Sequence, residues 1–298
     1  MGVRIKATGA GRAADTHSIV EHSGSAARQA VERAGIRSDQ VGVLINTGIF
    51  RDSNTVEPAV SALIQKAAGI GLDYAKQDSR TFSFDLMNGA TGVLNAVQVA
   101  GAILAAGTEH VLIVSGDTHP SLARGSADAE FPYATAGAAL LLEQVDGDEG
   151  FGPVHTARSG GSPAEVAYVD TATMGTVGRT LMTVERDADF EDRVLDVATT
   201  AARAALADAG TDRLALIAST PTPAFPQRLA DALGIDQNSV RTPDLTEGDP
   251  HTASLPLAFD RALGEGSLSG FARVLFVAAG AGPSAAATLY RLPVEITA

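Results

Sequence analysis

An internal repeat is the feature of this sequence that most constrains its fold. Four pairs of segments match between the two halves of the chain in the same order: Ala26–Gly35 with Ala201–Gly210, Ser61–Ile70 with Gln227–Ile235, Phe84–Gly89 with Pro243–Gly248, and His110–Val114 with Arg273–Val277. A single match between alanine-rich helices would arise easily by chance. Because four matches keep one order, we infer that the chain consists of two duplicated halves.

Short β-branched runs alternate with stretches that have a 3.6-residue apolar period. The strand-like runs are Val3–Ala7, Val41–Asn46, Thr81–Leu86, His110–Ser115, Ala138–Leu142, Leu214–Ser219, Val240–Thr242, Arg273–Ala278 and Ala286–Arg291. The helix-like stretches are Ser25–Ala34, Val56–Ala68, Gly89–Ala106, Phe190–Ala209, Pro223–Leu233 and Thr252–Leu263. Such alternation predicts an α/β fold with mainly parallel sheets covered by helices.

Two βαβαβαββ halves, residues 1–150 and 151–298, therefore account for the whole chain. They join near the acidic turn Asp146–Glu149, which we interpret as solvated because it lacks the alternating ligands of a calcium loop. Residues Phe151–Asp187 form an irregular insertion with weak strand signals.

Charge and cysteine content exclude several functional classes. The 22 Lys and Arg residues against 35 Asp and Glu give a net charge of −13, which excludes a basic nucleic-acid-binding protein and a polybasic membrane-binding patch. The chain has no cysteine, so disulfides, thiolate metal sites and thiol nucleophiles are excluded. We expect no metal and no cofactor. Since the longest apolar helical run, Ala96–Ala106, is too short to span a bilayer and Met1–Thr16 has no signal-peptide core, we expect a cytoplasmic protein.

Three motifs carry a resemblance to a known family. The sequence Phe-Asp-Leu-Met-Asn-Gly-Ala-Thr-Gly at 84–92 is similar to a nucleophile turn of the form Phe-Asp-x-x-x-x-Cys-x-Gly. The sequence Gly-Asp-Pro-His-Thr-Ala-Ser-Leu-Pro at 248–256 is similar to Gly-Asn-Thr-Ser-Ala-Ala-Ser-x-Pro, and Gly280–Gly282 resembles a glycine-rich loop before the last strand. Together they resemble the ketosynthase III family, the β-ketoacyl-acyl-carrier-protein synthases III. This resemblance implies a thiolase-like fold of five layers, αβαβα.

The resemblance places three altered residues at the family's catalytic positions. The family's cysteine falls on Ala90, its asparagine on Asp249, and its histidine on Ser219 or Thr220. A methyl group cannot attack a thioester, so condensation through an acyl-cysteine is excluded. The resemblance also implies two backbone amides, at Ala90 and near Ala281, that are placed like an oxyanion hole. These amides would polarise an acyl carbonyl.

Asp249 and His251 are the strongest candidates for catalytic residues, and Ser219 is a third. Asp249 would orient His251 as a general base toward an acceptor hydroxyl or amine. The alternative is that Asp249 caps the helix Thr252–Leu263 and His251 lies at a surface or interface. For Ser219, a strand-end hydroxyl that satisfies backbone groups is the alternative to a replacement nucleophile. As substrate-binding positions the resemblance gives Ala90, Gly280 and Ala281, and we add the neighbouring Thr91, which alternatively caps a helix.

Three functions are consistent with these residues. The first is a non-catalytic subunit that pairs, through the strand Thr81–Leu86, with a cysteine-bearing ketosynthase in fatty-acid or polyketide-type specialised metabolism. The second is a cysteine-independent acyltransferase that moves an acyl group from a coenzyme A or carrier-protein thioester to a hydroxyl or amine. The third is a homodimer that binds an acyl group or another small ligand.

Overall fold

A computed structural model describes residues 2–11, 16–54, 58–72, 80–118, 133–168, 172, 183–207, 209, 211–280 and 282–293 of the chain. Its strands are β1 Gly2–Gly11, β2 Val41–Asn46, β3 Phe82–Asp85, β4 His110–Asp117, β5 Ala136–Val145, β6 Gly150–Phe151, β7 His155–Arg158, β8 Glu165–Tyr168, β9 Thr183–Arg186, β10 Leu214–Ala218, β11 Val240–Arg241, β12 Arg273–Gly280 and β13 Ser284–Arg291. Its α-helices are α1 Ile19–Arg33, α2 Val60–Ala68, α3 Gly92–Ala105, α4 Phe190–Leu206, α5 Phe225–Leu233 and α6 Ser254–Gly264.

Two sheets repeat one pairing scheme, as the internal repeat predicts. In the first sheet the strand order is β1-β5-β4-β2-β3, with β2 parallel to both β3 and β4, and β5 antiparallel to β4 and β1. In the second sheet β10 is parallel to β11 and β12, and β13 is antiparallel to β12. The sheets are thus mixed rather than mainly parallel, because β5 and β13 each return beside the strand that precedes them. The boundary at residue 150 stays a prediction.

Burial on alternate faces of the central strands produces the layers. In β4, Val111 and Ile113 face one core while Leu112 and Val114 face another. Because a central strand is covered on both faces, its sequence is a continuous apolar run. Helices α3 and α6 fill the space between the two sheets, α1 and α2 cover the first sheet, and α4 and α5 cover the second. The predicted five-layered αβαβα architecture is confirmed.

The N-terminal elements are longer than predicted. Helix α1 begins at Ile19 rather than Ser25, because the Ser18 hydroxyl accepts from the Glu21 amide and the Asp52 carboxylate accepts from the Ile19 amide. Gly24 lies inside this helix, where an added Cβ would stand 2.9 Å from the Ala67 Cβ. A glycine that is typical of a helix break is here a point of close approach between α1 and α2.

None of the described helices combines the length and apolarity needed to cross a lipid bilayer.

Candidate functional site

A small, partly open cavity is lined by residues from both sheets and from the turns beside them. It has a volume of about 20 Å³, enough for about one water molecule. Its walls include five of the predicted site residues, Ala90, Ser219, Asp249, His251 and Gly280. The remaining wall residues are Tyr133, Glu165, Phe190, Pro221 and Ala279. Ala281 lies outside the described residues.

Ala90 presents its methyl group to this cavity from the turn before α3. Gly89 has a φ of +53°, a conformation suited to glycine, and α3 begins at Gly92. Across the cavity, a Cβ added to Gly280 would stand 3.2 Å from the Ala90 Cβ. A side chain at position 280 would therefore require the Ala90 methyl group to shift. Thr91 is not among the wall residues, and its hydroxyl donates to the Asn88 carbonyl at 2.8 Å.

Asp249 is buried and serves as an acceptor for three donors. Its Oδ1 accepts from the His251 amide at 2.9 Å, the Thr220 hydroxyl at 2.8 Å and the Ser254 hydroxyl at 3.2 Å. Burial raises the pKa of the Asp249 carboxyl, although these hydrogen bonds and the His251 ring oppose the shift. Asp249 thus holds the 3-10 turn His251–Ala253 that precedes α6, which begins at Ser254 and not at Thr252.

Ser219 and Thr220 have different surroundings, although the sequence could not separate them. Ser219 lines the cavity, and its Oγ accepts from the Ala279 amide at 3.0 Å. Thr220 instead directs its hydroxyl toward Asp249 and Ser254, each at 2.8 Å. Of the two, Ser219 is therefore the one that faces Ala90 across the cavity.

His251 is held rigidly by the carboxylate of Asp117. Its Nδ1 lies 3.0 Å from Asp117 Oδ2, and its ring centroid lies 5.3 Å from that of Phe50 and 5.0 Å from that of Tyr133. Because Nδ1–H donates to Asp117, Nε2 is the ring nitrogen left for other contacts. Burial would lower the pKa of His251, but Asp117 and Asp249 outweigh burial and raise it above its ordinary value.

Asp117 is a site residue that sequence analysis missed. It is fully buried at the end of β4, and its two oxygens accept from five donors: the amides of Ile49 and Phe50 at 2.7 Å each, His251 Nδ1 at 3.0 Å, the Thr252 amide at 3.1 Å and the Thr252 hydroxyl at 2.5 Å. Burial opposes its ionisation, yet His251 and these hydrogen bonds hold the pKa of the carboxyl below its usual range. The available signal was a charged residue at the carboxyl end of a buried parallel strand.

A second polar cluster, also missed, joins the cavity to the β8–β9 hairpin. The Tyr133 hydroxyl donates to Glu165 Oε1 at 2.6 Å, and Arg186 Nε donates to Glu165 Oε2. The Arg186 guanidinium lies 4.7 Å from the Phe190 ring centroid and 5.3 Å from that of Tyr133. Burial raises the pKa of the Tyr133 hydroxyl well above its ordinary value. Glu165 and Arg186 are direct partners across the hairpin, within the insertion that the sequence indicated as irregular.

The described residues contain no group of His, Asp and Glu that could hold a metal ion. The site therefore offers hydrogen-bond donors and carboxylates around a very small space. The described wall residues include no thiol; they carry two hydroxyls, of which that of Ser219 accepts from the Ala279 amide and that of Tyr133 donates to Glu165.

Comparison with known proteins supports the family that the motifs indicated. The chain is 26% identical to the β-ketoacyl-[acyl-carrier-protein] synthase III of Hyphomonas neptunium over 290 residues, covering 93% of this chain and 84% of that protein. It is 28% identical to the protein of the same name from Streptomyces lividans, covering 95% and 83%. The chain is a ketosynthase III-like protein. No family model matches this ketosynthase III-like chain.

The fold agrees with that assignment. The priming β-ketosynthase of the R1128 polyketide biosynthetic pathway superposes on this ketosynthase III-like protein with a TM-score of 0.81 at 21% identity, covering 98% of this chain and 96% of that one. The thiolase-like fold predicted from the motifs is therefore confirmed.

Proposed function

We propose that this ketosynthase III-like protein is a non-catalytic subunit that partners an active, cysteine-bearing ketosynthase or acyltransferase in fatty-acid or polyketide-type metabolism. The observation that carries this proposal is the methyl group of Ala90 in the cavity wall of a chain that has no cysteine. Loss of a covalent nucleophile from a comparable catalytic unit costs a factor of about 10⁶ in rate.

The size and filling of the cavity support the same conclusion. A space of about 20 Å³ accommodates about one water molecule and not an acyl chain. Tyr133, Glu165 and Phe190 line it, and Arg186 is tied to Glu165 and packs on Phe190. Opening this space would separate Glu165 from two hydrogen-bonding partners, at a free-energy cost that an acyl ligand would have to offset.

An exposed sheet edge offers a surface for pairing. Strand β3 is at the edge of the first sheet, so its outer backbone groups face away from β2. On the same segment Phe82 is 65% exposed and Met87 is 46% exposed. The Phe82 and Phe84 rings are 5.5 Å apart and present an aromatic pair. Edge pairing with a second chain would bury these side chains, and a homodimer or a heterodimer would use the same strand.

Co-purification from the native host tests the proposal. We expect a cysteine-bearing ketosynthase III-like protein to accompany this chain in native mass spectrometry, and the isolated chain to show no transfer of an acyl group from a thioester. Phe82→Glu should remove the partner without unfolding the chain, while Val166→Glu, at another exposed apolar position, should not. Enzyme-like turnover by the isolated chain would contradict the proposal. A stable homodimer with a bound acyl ligand and no partner protein would favour the ligand-binding alternative.

One observation favours a second candidate, a cysteine-independent acyltransferase. The Asp117–His251 pair, with Nδ1 bound to the carboxylate and the ring in the cavity wall, is the arrangement of a general base and its orienting group. Such a base would take the proton from a hydroxyl or amine that attacks the thioester carbonyl. The acyl C–S bond then breaks, and the protonated base returns the proton to the departing thiolate. Incubating the isolated chain with acyl thioesters and amine or alcohol acceptors tests this function. Turnover that His251→Ala abolishes would support it, whereas turnover that survives His251→Ala would refute it.

A further inference from the structure

The surroundings of the His251 ring are those of a site for a cation. Its ring centroid lies 5.3 Å from that of Phe50, at an interplanar angle of 32°, and 5.0 Å from that of Tyr133, in an edge-on arrangement at 62°. Both distances are within the range of about 6 Å over which a cation interacts with an aromatic ring. Asp117 accepts a hydrogen bond from its Nδ1 at 3.0 Å. Two aromatic walls and a buried carboxylate thus surround one planar ring.

We propose that Phe50, Tyr133, Asp117 and Asp249 form a binding cage for a small planar ring cation, and that the imidazolium of His251 is its built-in occupant. This cage lies at the cavity that Ala90 and His251 line, and its formation does not depend on whether the protein has a partner subunit.

The charges facing His251 come from several elements of the structure. Asp117 contributes from the end of β4, Asp249 from the turn before α6, and Glu165 from β8. The opposing cation is Arg186 of β9, which is paired with Glu165. With Arg186 neutralising Glu165, Asp117 and Asp249 remain to balance a positive charge on the imidazole ring. A neutral ring would leave Asp117 buried without a counter-charge.

The backbone conformation at position 251 is one that a residue with a side chain adopts only at an energetic cost. His251 has a φ of +48°, a left-handed conformation that glycine adopts readily and that costs other residues energy. The hydrogen bond from its amide to Asp249 and the hydrogen bond from its ring to Asp117 together hold the residue in that conformation. Glycine at this position would relieve the backbone and vacate a ring-sized space.

That vacated space would be continuous with the existing cavity, because His251 is one of its wall residues. The side chain is also 14% exposed, so the space communicates with the surroundings. The His251→Gly variant should therefore bind free imidazolium in the place of the missing ring.

Thermal unfolding of the His251→Gly variant with added imidazole at pH 6 tests the cage. We expect a saturable rise in Tm of at least about 2–4 °C, because a ligand that binds only the folded state stabilises it. The unmodified protein, whose cage is filled, should show no saturable rise. The His251→Gly/Asp117→Asn double variant should also show none, and pyrrole, a neutral ring of the same size, should stabilise the single variant less than imidazole. An equal response of the single and double variants would overturn the proposal.

A measurement on the unmodified chain keeps the proposal testable if the variant does not fold. The chain has six histidines, and ¹⁵N spectra distinguish an imidazolium from either neutral tautomer. We expect the partly buried His251, assigned through the loss of its signals in His251→Asn, to keep the imidazolium pattern to a higher pH than a histidine in an unfolded peptide. A His251 that became neutral at the same or a lower pH would refute the cage, even if the protein proved to be a non-catalytic subunit.

Discussion

Replacing Asp117 by asparagine should be strongly destabilising, with a pH dependence that identifies its cause. Asp117 is fully buried and accepts hydrogen bonds from five donors, two on Oδ1 and three on Oδ2. An asparagine amide has one acceptor oxygen, and its NH₂ group donates. If the amide NH₂ replaces Oδ1, the backbone amides of Ile49 and Phe50 lose their acceptor. If it replaces Oδ2, the three donors from His251 and Thr252 lose theirs.

The magnitude follows from the two interactions that are lost. Breaking a buried ion pair by removing one partner costs about 3–5 kcal/mol. Each buried donor left unsatisfied costs about 1–3 kcal/mol, and the two losses overlap because they share one carboxylate. We therefore expect Asp117→Asn to lower the free energy of unfolding by about 3–5 kcal/mol at pH 6.

The pH dependence distinguishes the ion pair from the hydrogen bonds. The pKa of His251 is raised in the folded state above its ordinary value of 6.5, so its stabilisation is complete below pH 6.5 and is lost as the pH rises through the folded-state pKa. The pKa of Asp117 is lowered below 3.8, so its stabilisation is present above that pH and is lost as the pH falls through the folded-state pKa. The destabilisation by Asp117→Asn should be largest between about pH 4 and 6.5 and should shrink to about 2 kcal/mol above the folded-state pKa of His251.

Urea unfolding from pH 5 to pH 9, followed by circular dichroism and tyrosine fluorescence, measures this difference. Asp85→Asn is the matched control. Asp85 accepts from the amides of Val60 at 3.0 Å and Ser61 at 2.8 Å, and among the described residues its charged partner is Arg51 at 3.5 Å rather than a histidine. The destabilisation by Asp85→Asn should therefore not fall between pH 6 and 9. A loss below about 1 kcal/mol for Asp117→Asn, or one that does not change with pH, would refute the ion pair.

Three further substitutions test the site and its surroundings. Gly280→Ala should lower the free energy of unfolding by about 1–3 kcal/mol, since its Cβ would meet Ala90 at 3.2 Å, whereas Gly282→Ala, with 3.6 Å to its nearest neighbour, should change it little in urea titrations. Ala90→Cys should give a folded protein that still lacks condensing activity, because Ser219 or Thr220 occupies the family's histidine position and His251 is bound through Nδ1 to Asp117; turnover of acyl and malonyl thioesters by this variant would contradict that expectation. Phe82→Glu should weaken the association of this chain with the second chain that pairs along β3, raising the dissociation constant at least about tenfold in sedimentation velocity. Val166→Glu should leave that dissociation constant unchanged.

Much of the fold could be predicted because the repeat and the apolar periodicity are carried by core residues. The runs Val111–Val114 and Val274–Val277 are apolar at every position because both faces of β4 and β12 are covered, and this pattern is local in sequence. The start of α1 was wrong because its capping depends on Asp52, which lies 33 residues after Ile19. The glycine at position 24, inside α1, is likewise explained by a distant contact, the close packing of α1 on α2.

The candidate site was predictable only where a motif carried it. Ala90 and Asp249 lie in turns and Gly280 ends β12, all at positions that the resemblance could align, and the three residues line one cavity. Asp117 and Glu165 lie outside those motifs, and their roles depend on contacts across 134 residues to His251 and 32 residues to Tyr133.

The contact between Asp117 and His251 raises the question of why a site without a cysteine would keep a buried ion pair. A buried ion pair is often no more stabilising than an apolar replacement of the same size, so stability alone does not account for Asp117 and His251. Removing either member alone, however, leaves the other charge uncompensated, and each single substitution is then costly. The pair is therefore hard to remove one residue at a time, while the amides of Ile49, Phe50 and Thr252 still require an acceptor at position 117. On this argument the double substitution Asp117→Asn/His251→Gly should destabilise the protein less than the sum of the two single substitutions, because it leaves no uncompensated charge.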